Sequence, residues 1–159
     1  MSMGQDSDLN PPSDPYDFKG WTHYFTKVGS LNIASMTGST FDNCISNFKI
    51  FLEAFPWLYA YWDKLANFIW AGRCELSLSQ DVYKSALSKS ALYYSIDMWI
   101  CCIRFFKANL PQTEQDKMRQ IYCAALDAVG GHYYSGNLWR LALNYEDENR
   151  RTTFPLYAK

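Results

Sequence analysis

The tryptophans Trp21, Trp62, Trp99 and Trp139 stand 41, 37 and 40 residues apart, and this spacing restricts the possible folds more than any other feature of the chain. An aromatic lies six residues after three of them, as Phe68, Phe105 and Tyr145. A second register runs between the first. Val82-Tyr83-Lys-Ser-Ala86-Leu87 lies 39 residues before Ile121-Tyr122-Cys-Ala-Ala125-Leu126, and Cys44-Ile45-Ser-Asn-Phe48 lies 38 residues before the first of these. Two registers repeating together at this length describe a unit of two antiparallel helices, which cannot bury its apolar side alone and is covered by the next unit. The tryptophan of the first helix needs a shallow bed, and small residues such as Ala86 and Ala125 on the second supply it. The expected fold is therefore all-α, an α-solenoid of about three and a half repeats: three helix pairs and one further first helix.

Local signals place the helices. Asp14 as N-cap, Pro15 in the first turn and Asp17 near the positive end of the dipole predict a first helix with Phe18, Trp21, Tyr24, Phe25 and Val28 on one face, ending near Gly29. After a loop over Leu31 to Ser39, Ser39 or Thr40 is expected to cap a second helix that stops before Pro56. Phe55 to Trp70 reads as the third, with Pro56 in its first turn, Tyr59, Trp62, Leu65, Ala66 and Ile69 on one face, and Gly72 as its end. The Ser77 to Gln80 spacing suggests a capping box and a fourth helix reaching about Tyr93. Ser95 with Asp97 opens a fifth, closed by Asn109-Leu-Pro111. Gly130-Gly131 ends a sixth, and Ser135 or Asn137 caps a seventh. Residues 1–13 read as a flexible acidic leader, 14–148 as the helical domain and 149–159 as an irregular tail.

The charge balance narrows the function classes. Fifteen Lys and Arg against sixteen Asp and Glu give a net charge of -1, which disfavours a dedicated phosphate-neutralising nucleic-acid binder and favours protein partners. Charged residues interrupt every apolar stretch, so no bilayer span is expected. The cysteines Cys44, Cys74, Cys101, Cys102 and Cys123 are odd in number and without C-x-x-C spacing, which reads as small buried hydrophobes, with one or two exposed thiols, in a reduced intracellular compartment. His23 and His132 alone do not make a metal site. The chain shows no Gly-rich phosphate loop, no nucleophile with its base and no paired carboxylates, so neither a cofactor nor catalysis is expected.

The paired motifs, Trp-x-x-hydrophobic-x-x-aromatic and hydrophobic-Tyr-x-x-Ala-Leu, resemble HAT (half-a-TPR) repeats of RNA-processing proteins, across about residues 15 to 147. Trp139-Arg-Leu-Ala-Leu-Asn-Tyr145-Glu146 is nearest to the pattern because it carries the glutamate that often follows the aromatic; the other first helices lack it. Phe55 to Ala66 resembles the aromatic opening of an N-terminal repeat in a pre-mRNA-processing factor that accompanies the snRNP recognising the 5′ splice site. The resemblance implies a nuclear, non-catalytic scaffold of splicing that meets snRNP or other RNA-processing proteins, with direct RNA contact secondary. It also implies further repeats in a longer protein. Repeated tryptophan-bearing pairs also occur in the helical subunit of protein prenyltransferases, where a zinc-bearing partner chain carries the chemistry. The alternative class is a TPR-like adaptor that binds a peptide or helix outside splicing.

The tryptophans, Phe68, Tyr83, Ala86, Phe105, Tyr122, Ala125 and Tyr145 are expected to be packing positions. Tyr59 and Tyr61 are expected to make outward contacts, since one helix cannot bury every side. Arg104, Lys107, Lys117, Arg119, Arg140, Arg150 and Arg151 concentrate in the second half, where they could line one edge for RNA or an acidic protein. The Glu146-Asp147-Glu148 run reads as a solvated helix end.

Overall fold

The computed structural model describes residues 9–153, with side chains described as far as Arg150. All its regular structure among these residues is helical: α1 Phe18–Ser30, a single 3-10 turn Ile33–Ser35, α2 Gly38–Ala54, α3 Tyr59–Arg73, α4 Leu76–Leu87, α5 Ser90–Tyr93, α6 Ile96–Asn109, α7 Gln115–Val129 and α8 Gly136–Thr153. First helices α1, α3, α6 and α8 carry the four tryptophans, and α2, α4 and α7 are the second helices. This is the expected solenoid of three antiparallel pairs and one further first helix. The chain divides into two compact units, Met1–Lys89 and Ser90–Lys159.

In the first unit the helix starts fall a few residues from where local signals put them. Asp14 forms a turn, accepting from the Tyr16 N–H at 2.9 Å, and Asp17 caps α1 by accepting from the Gly20 N–H. Thr37, not Ser39 or Thr40, caps α2 through the Thr40 N–H. Pro56 lies outside α3, which begins at Tyr59. A side-chain bond accompanies this: the Trp62 indole Nε1–H donates to the Pro56 carbonyl at 2.9 Å, which holds the segment before the helix in a turn. Trp21 donates likewise to the Pro15 carbonyl at 2.9 Å.

Aromatic rings fill the space inside and between the two pairs. Phe25 stacks on Phe48 with centroids 4.4 Å apart, joining α1 to α2. Phe41 stacks on Phe68 at 4.7 Å and 13°, joining the first pair to the second. Gly72 does not end α3. It sits one turn after Phe68, and a Cβ there would lie 2.1 Å from the Phe41 ring, so the glycine admits that ring. The helix ends instead at Cys74, whose φ of 52° is left-handed and whose N–H reaches the Trp70 carbonyl. After this two-residue reversal α4 packs closely on α3, where Ser79 is fully buried and donates to the Ala66 carbonyl at 2.8 Å. The capping box does not form: Ser77 lies inside α4 and donates to the Glu75 carboxylate. The expected run to Tyr93 is broken after Leu87, and α5 is a separate turn.

The second unit follows its local signals more closely. Ser95 caps α6 through the Met98 N–H, and Asp97 lies in its first turn. The Trp99 indole donates to the Tyr93 carbonyl at 2.7 Å, again six residues back. Gly130 ends α7. Ser135 precedes α8, but its hydroxyl donates to the Gly130 and His132 carbonyls instead of accepting from the helix. The irregular tail expected from Asn149 is helical as far as Thr153; residues 154–159 and the first eight residues of the leader lie outside the described residues.

Gly72→Ala tests the tightest of these contacts. Phe41 is buried and already stacked on Phe68, so the extra methyl is overpacked and should cost about 1–3 kcal/mol. Urea unfolding should show a lower midpoint with an unchanged slope.

Candidate interaction surface

Most of the motif residues lie in the core. Trp21, Trp62, Trp99, Phe68, Tyr83, Ala86, Phe105, Tyr122, Ala125 and Tyr145 are all buried. Trp139 departs from this pattern at 45% exposed, with Leu143 one turn on at 64%. Its indole donates to the Gly130 carbonyl at 2.8 Å, nine residues back instead of six.

Tyr83 and Tyr122 occupy the same position in successive second helices, yet their hydroxyls have opposite fates. Tyr83 donates to the Asp63 carboxylate. Asp63 follows Trp62, and the residue that follows Trp99 is Ile100, which cannot accept. The Tyr122 hydroxyl is buried without a hydrogen-bond partner, its ring packed on Tyr145 at 5.0 Å. Burial, with a smaller contribution from Tyr145 and Glu148, pushes the Tyr122 phenol up to about 12.

Of the basic edge expected in the second half, Lys107, Lys117 and Arg119 are paired with carboxylates, whereas Arg104 is exposed. Arg119 bonds Glu146 through Nε at 2.9 Å, and that hydrogen bond is the main reason its guanidinium is held above its ordinary pKa. Lys107 pairs with Glu148 at 3.5 Å and Lys117 with Glu114 at 3.1 Å. Glu146 is therefore half-buried and paired between α7 and α8, not a solvated helix end. Arg140 is exposed and bonds Asn137 at 2.9 Å. Arg150 is exposed at the end of α8, and the Arg151 side chain lies outside the described ones.

Of the two tyrosines expected to face outward, Tyr59 does so at 37% exposed. Tyr61 is half-buried, packed on Phe25 at 5.5 Å and Phe51 at 4.6 Å, with Lys64 over its ring. More exposed aromatics escaped the sequence reading. Tyr16, Trp57, Tyr94 and Tyr134 are 72%, 57%, 67% and 73% exposed, and each lies five residues before a repeat tryptophan. Extending the tryptophan register backwards as well as forwards would have found them.

A groove of about 860 Å³ opens in the first unit, with α3 side chains Trp62, Leu65 and Ile69 along its floor and Ile45, Leu52 and Val82 from α2 and α4 beside them. At one end Arg73 is paired with Asp42. No group of three metal-ligating side chains occurs among the described residues, and no described helix is long and apolar enough to cross a membrane. Cys44 and Cys102 are buried as small core residues, while Cys74 and Cys123 are exposed.

A family model described as the PRP39 N-terminal HAT repeat matches residues 11–157. The chain belongs to that family. Among curated proteins it is 29% identical over 151 residues to Pre-mRNA-processing factor 39 of Mus musculus, and 29% identical over 153 residues to the protein of that name from Homo sapiens. Each match covers 92% of this chain and 21% of the relative. A Xenopus laevis Pre-mRNA-processing factor 39 is 26% identical over 137 residues, covering 84% of this chain and 20% of its own length. The chain thus spans about a fifth of the curated relatives it matches. The tryptophan-bearing helices and their second-helix tyrosines are HAT repeats.

The equivalent tyrosines supply a paired test. Tyr122→Phe removes a hydroxyl that bonds nothing and should be neutral or stabilising, whereas Tyr83→Phe strips a partner from Asp63 and should cost about 1 kcal/mol. Chemical denaturation should lower the midpoint for Tyr83→Phe and leave it unchanged or raised for Tyr122→Phe. Alkali gives a second readout. Tyr122 stays protonated in the folded chain to about pH 12, while an unfolded tyrosine ionises near pH 10. Its contribution is therefore complete below pH 10 and is lost as the pH rises from 10 to 12. Tyr122→Phe should flatten the loss of stability across that window.

Proposed function

We propose that this chain is a non-catalytic scaffold module of pre-mRNA splicing, acting in the nucleus beside the snRNP that recognises the 5′ splice site. The observation that carries the reading is the family match over nearly the whole chain, together with relatives named as pre-mRNA-processing factors. The structure supports it through what its surfaces offer. Stacked helix pairs give a large, shaped surface for protein contacts, and the Arg and Lys side chains of the second unit that pair with carboxylates leave less charge for phosphate. Protein partners, snRNP or other RNA-processing proteins, are therefore the primary contacts, and RNA contact is secondary. The exposed aromatics, Tyr59, Arg140 and Arg150 are the candidate partner-facing side chains; Arg151, whose side chain lies outside the described ones, belongs to the same reading.

The test is affinity capture from nuclear extract with the chain immobilised. Spliceosomal snRNP proteins and their RNA should be retained, and the RNA should be lost when the proteins are digested first. Retention of neither would sink the splicing reading, and RNA that survives protease would reverse the order of partners.

A further inference from the structure

In the first unit the turns leading into α1 and α3 bring Tyr16, Phe18, Phe55 and Trp57 together. Around Phe55 stand Tyr16 at 6.4 Å, Phe18 at 5.6 Å and Trp57 at 5.9 Å, all edge-to-face. Tyr16 is 72% exposed, Phe18 47% and Trp57 57%. Rings set on edge against one another leave ridges and slots at the surface, not a smooth apolar plane. Exposed aromatic clusters of this kind mark interaction sites.

Two further observations select the occupant. The first is hydrogen bonding. The indoles of Trp21, Trp62, Trp99 and Trp139 are all satisfied by backbone carbonyls, but neither the Trp57 indole N–H nor the Tyr16 hydroxyl bonds another described residue. A docked helix, whose backbone is already bonded internally, could meet these donors only through side chains. A polyproline II segment makes no internal hydrogen bonds and presents its carbonyls outward. The second is charge. Segments 12–20 and 51–59 carry Asp14, Asp17 and Glu53 against Lys19 alone, which repels a phosphate backbone and favours a basic ligand flank.

We propose that this cluster docks a proline-rich segment of a partner protein in the polyproline II conformation, with a basic residue at one end. Proline rings pack in the slots between the aromatics, and the Trp57 N–H and Tyr16 hydroxyl donate to the segment's carbonyls, as in other aromatic-lined proline-binding surfaces. The recurrence of an exposed aromatic five residues before every repeat tryptophan makes the same chemistry available at Tyr94 and Tyr134. The proposal rests on the interaction-module reading only in taking the ligand to be a protein, and its test uses no splicing component, so the two can fail separately.

The experiment titrates the nitrogen-15-labelled chain with a decaproline peptide ending in arginine, with an alanine-for-proline control and with single-stranded oligouridylate. The readout is the tryptophan indole N–H resonances, that of Trp57 being assigned by W57F. The proline peptide should shift the Trp57 indole saturably while the four internally bonded indoles stay in place. W57A and Y16A should each weaken binding about tenfold, the loss expected for one aromatic anchor. Both positions are exposed, so thermal unfolding should be unchanged and would separate lost binding from lost fold. No saturable shift at millimolar peptide, an equal response to the alanine control, a response to the oligonucleotide alone, or unaltered affinity in a folded W57A would each overturn the proposal.

Discussion

The bond from a tryptophan indole to a backbone carbonyl six residues upstream is the contact on which three of the repeats depend. It occurs at Trp21, Trp62 and Trp99 with lengths of 2.7 to 2.9 Å. A buried indole carries one donor that must be satisfied. A helix cannot satisfy it internally, because its own carbonyls are taken by the ladder. The chain before the helix supplies the carbonyl, so it must fold back over the first turn of α1, α3 or α6. This sets where the helix starts and how the preceding second helix hands over to it. It also explains why the residue after that carbonyl, at Tyr16, Trp57 and Tyr94, is exposed.

Around these anchors both units join their helices through ring contacts and ion pairs, with more rings in the first. Phe41 on Phe68, and Tyr61 against Phe25 and Phe51, fill the seam between the first two pairs. Between α7 and α8 the work falls to Tyr122 on Tyr145 and to Arg119 with Glu146. The repeats are thus equivalent in backbone and unlike in chemistry. Tyr83 and Tyr122 show how this arises: one has its carboxylate acceptor in Asp63, and the sequence places Ile100 where the other would have one. In a repeat array each seam is tuned by its own neighbours, since each unit contacts only those beside it.

The same division bears on recognition. In the second unit Lys107, Lys117 and Arg119 are paired with carboxylates, which lowers the charge that part of the surface can offer. What stands out from that surface is aromatic. Rings that belong to the lead-in turns, and not to the packed helix faces, are available to a partner without disturbing the stack. Binding and stability can then draw on separate residues.

Much of this was legible along the chain. The tryptophan spacing, the second-helix Tyr and Ala positions and the lack of period-2 runs specify paired helices, because burial of a helix face imposes its 3.6-residue period on the sequence. The helix ends at Asn109 and Val129 were legible for a different reason, being set by local proline and glycine chemistry. The starts of α1, α2 and α3 were not. Asp14 and Pro56 carry the local signs of a helix beginning, but the bond to an indole six residues on depends on that indole being buried, which helix propensity does not encode. Likewise nothing in the spacing says that Tyr61 turns inward, that Gly72 clears space for Phe41, or that Arg119 finds Glu146. Each depends on which side chain another helix brings to that point, and that is a matter of three-dimensional packing, not of pattern along the chain.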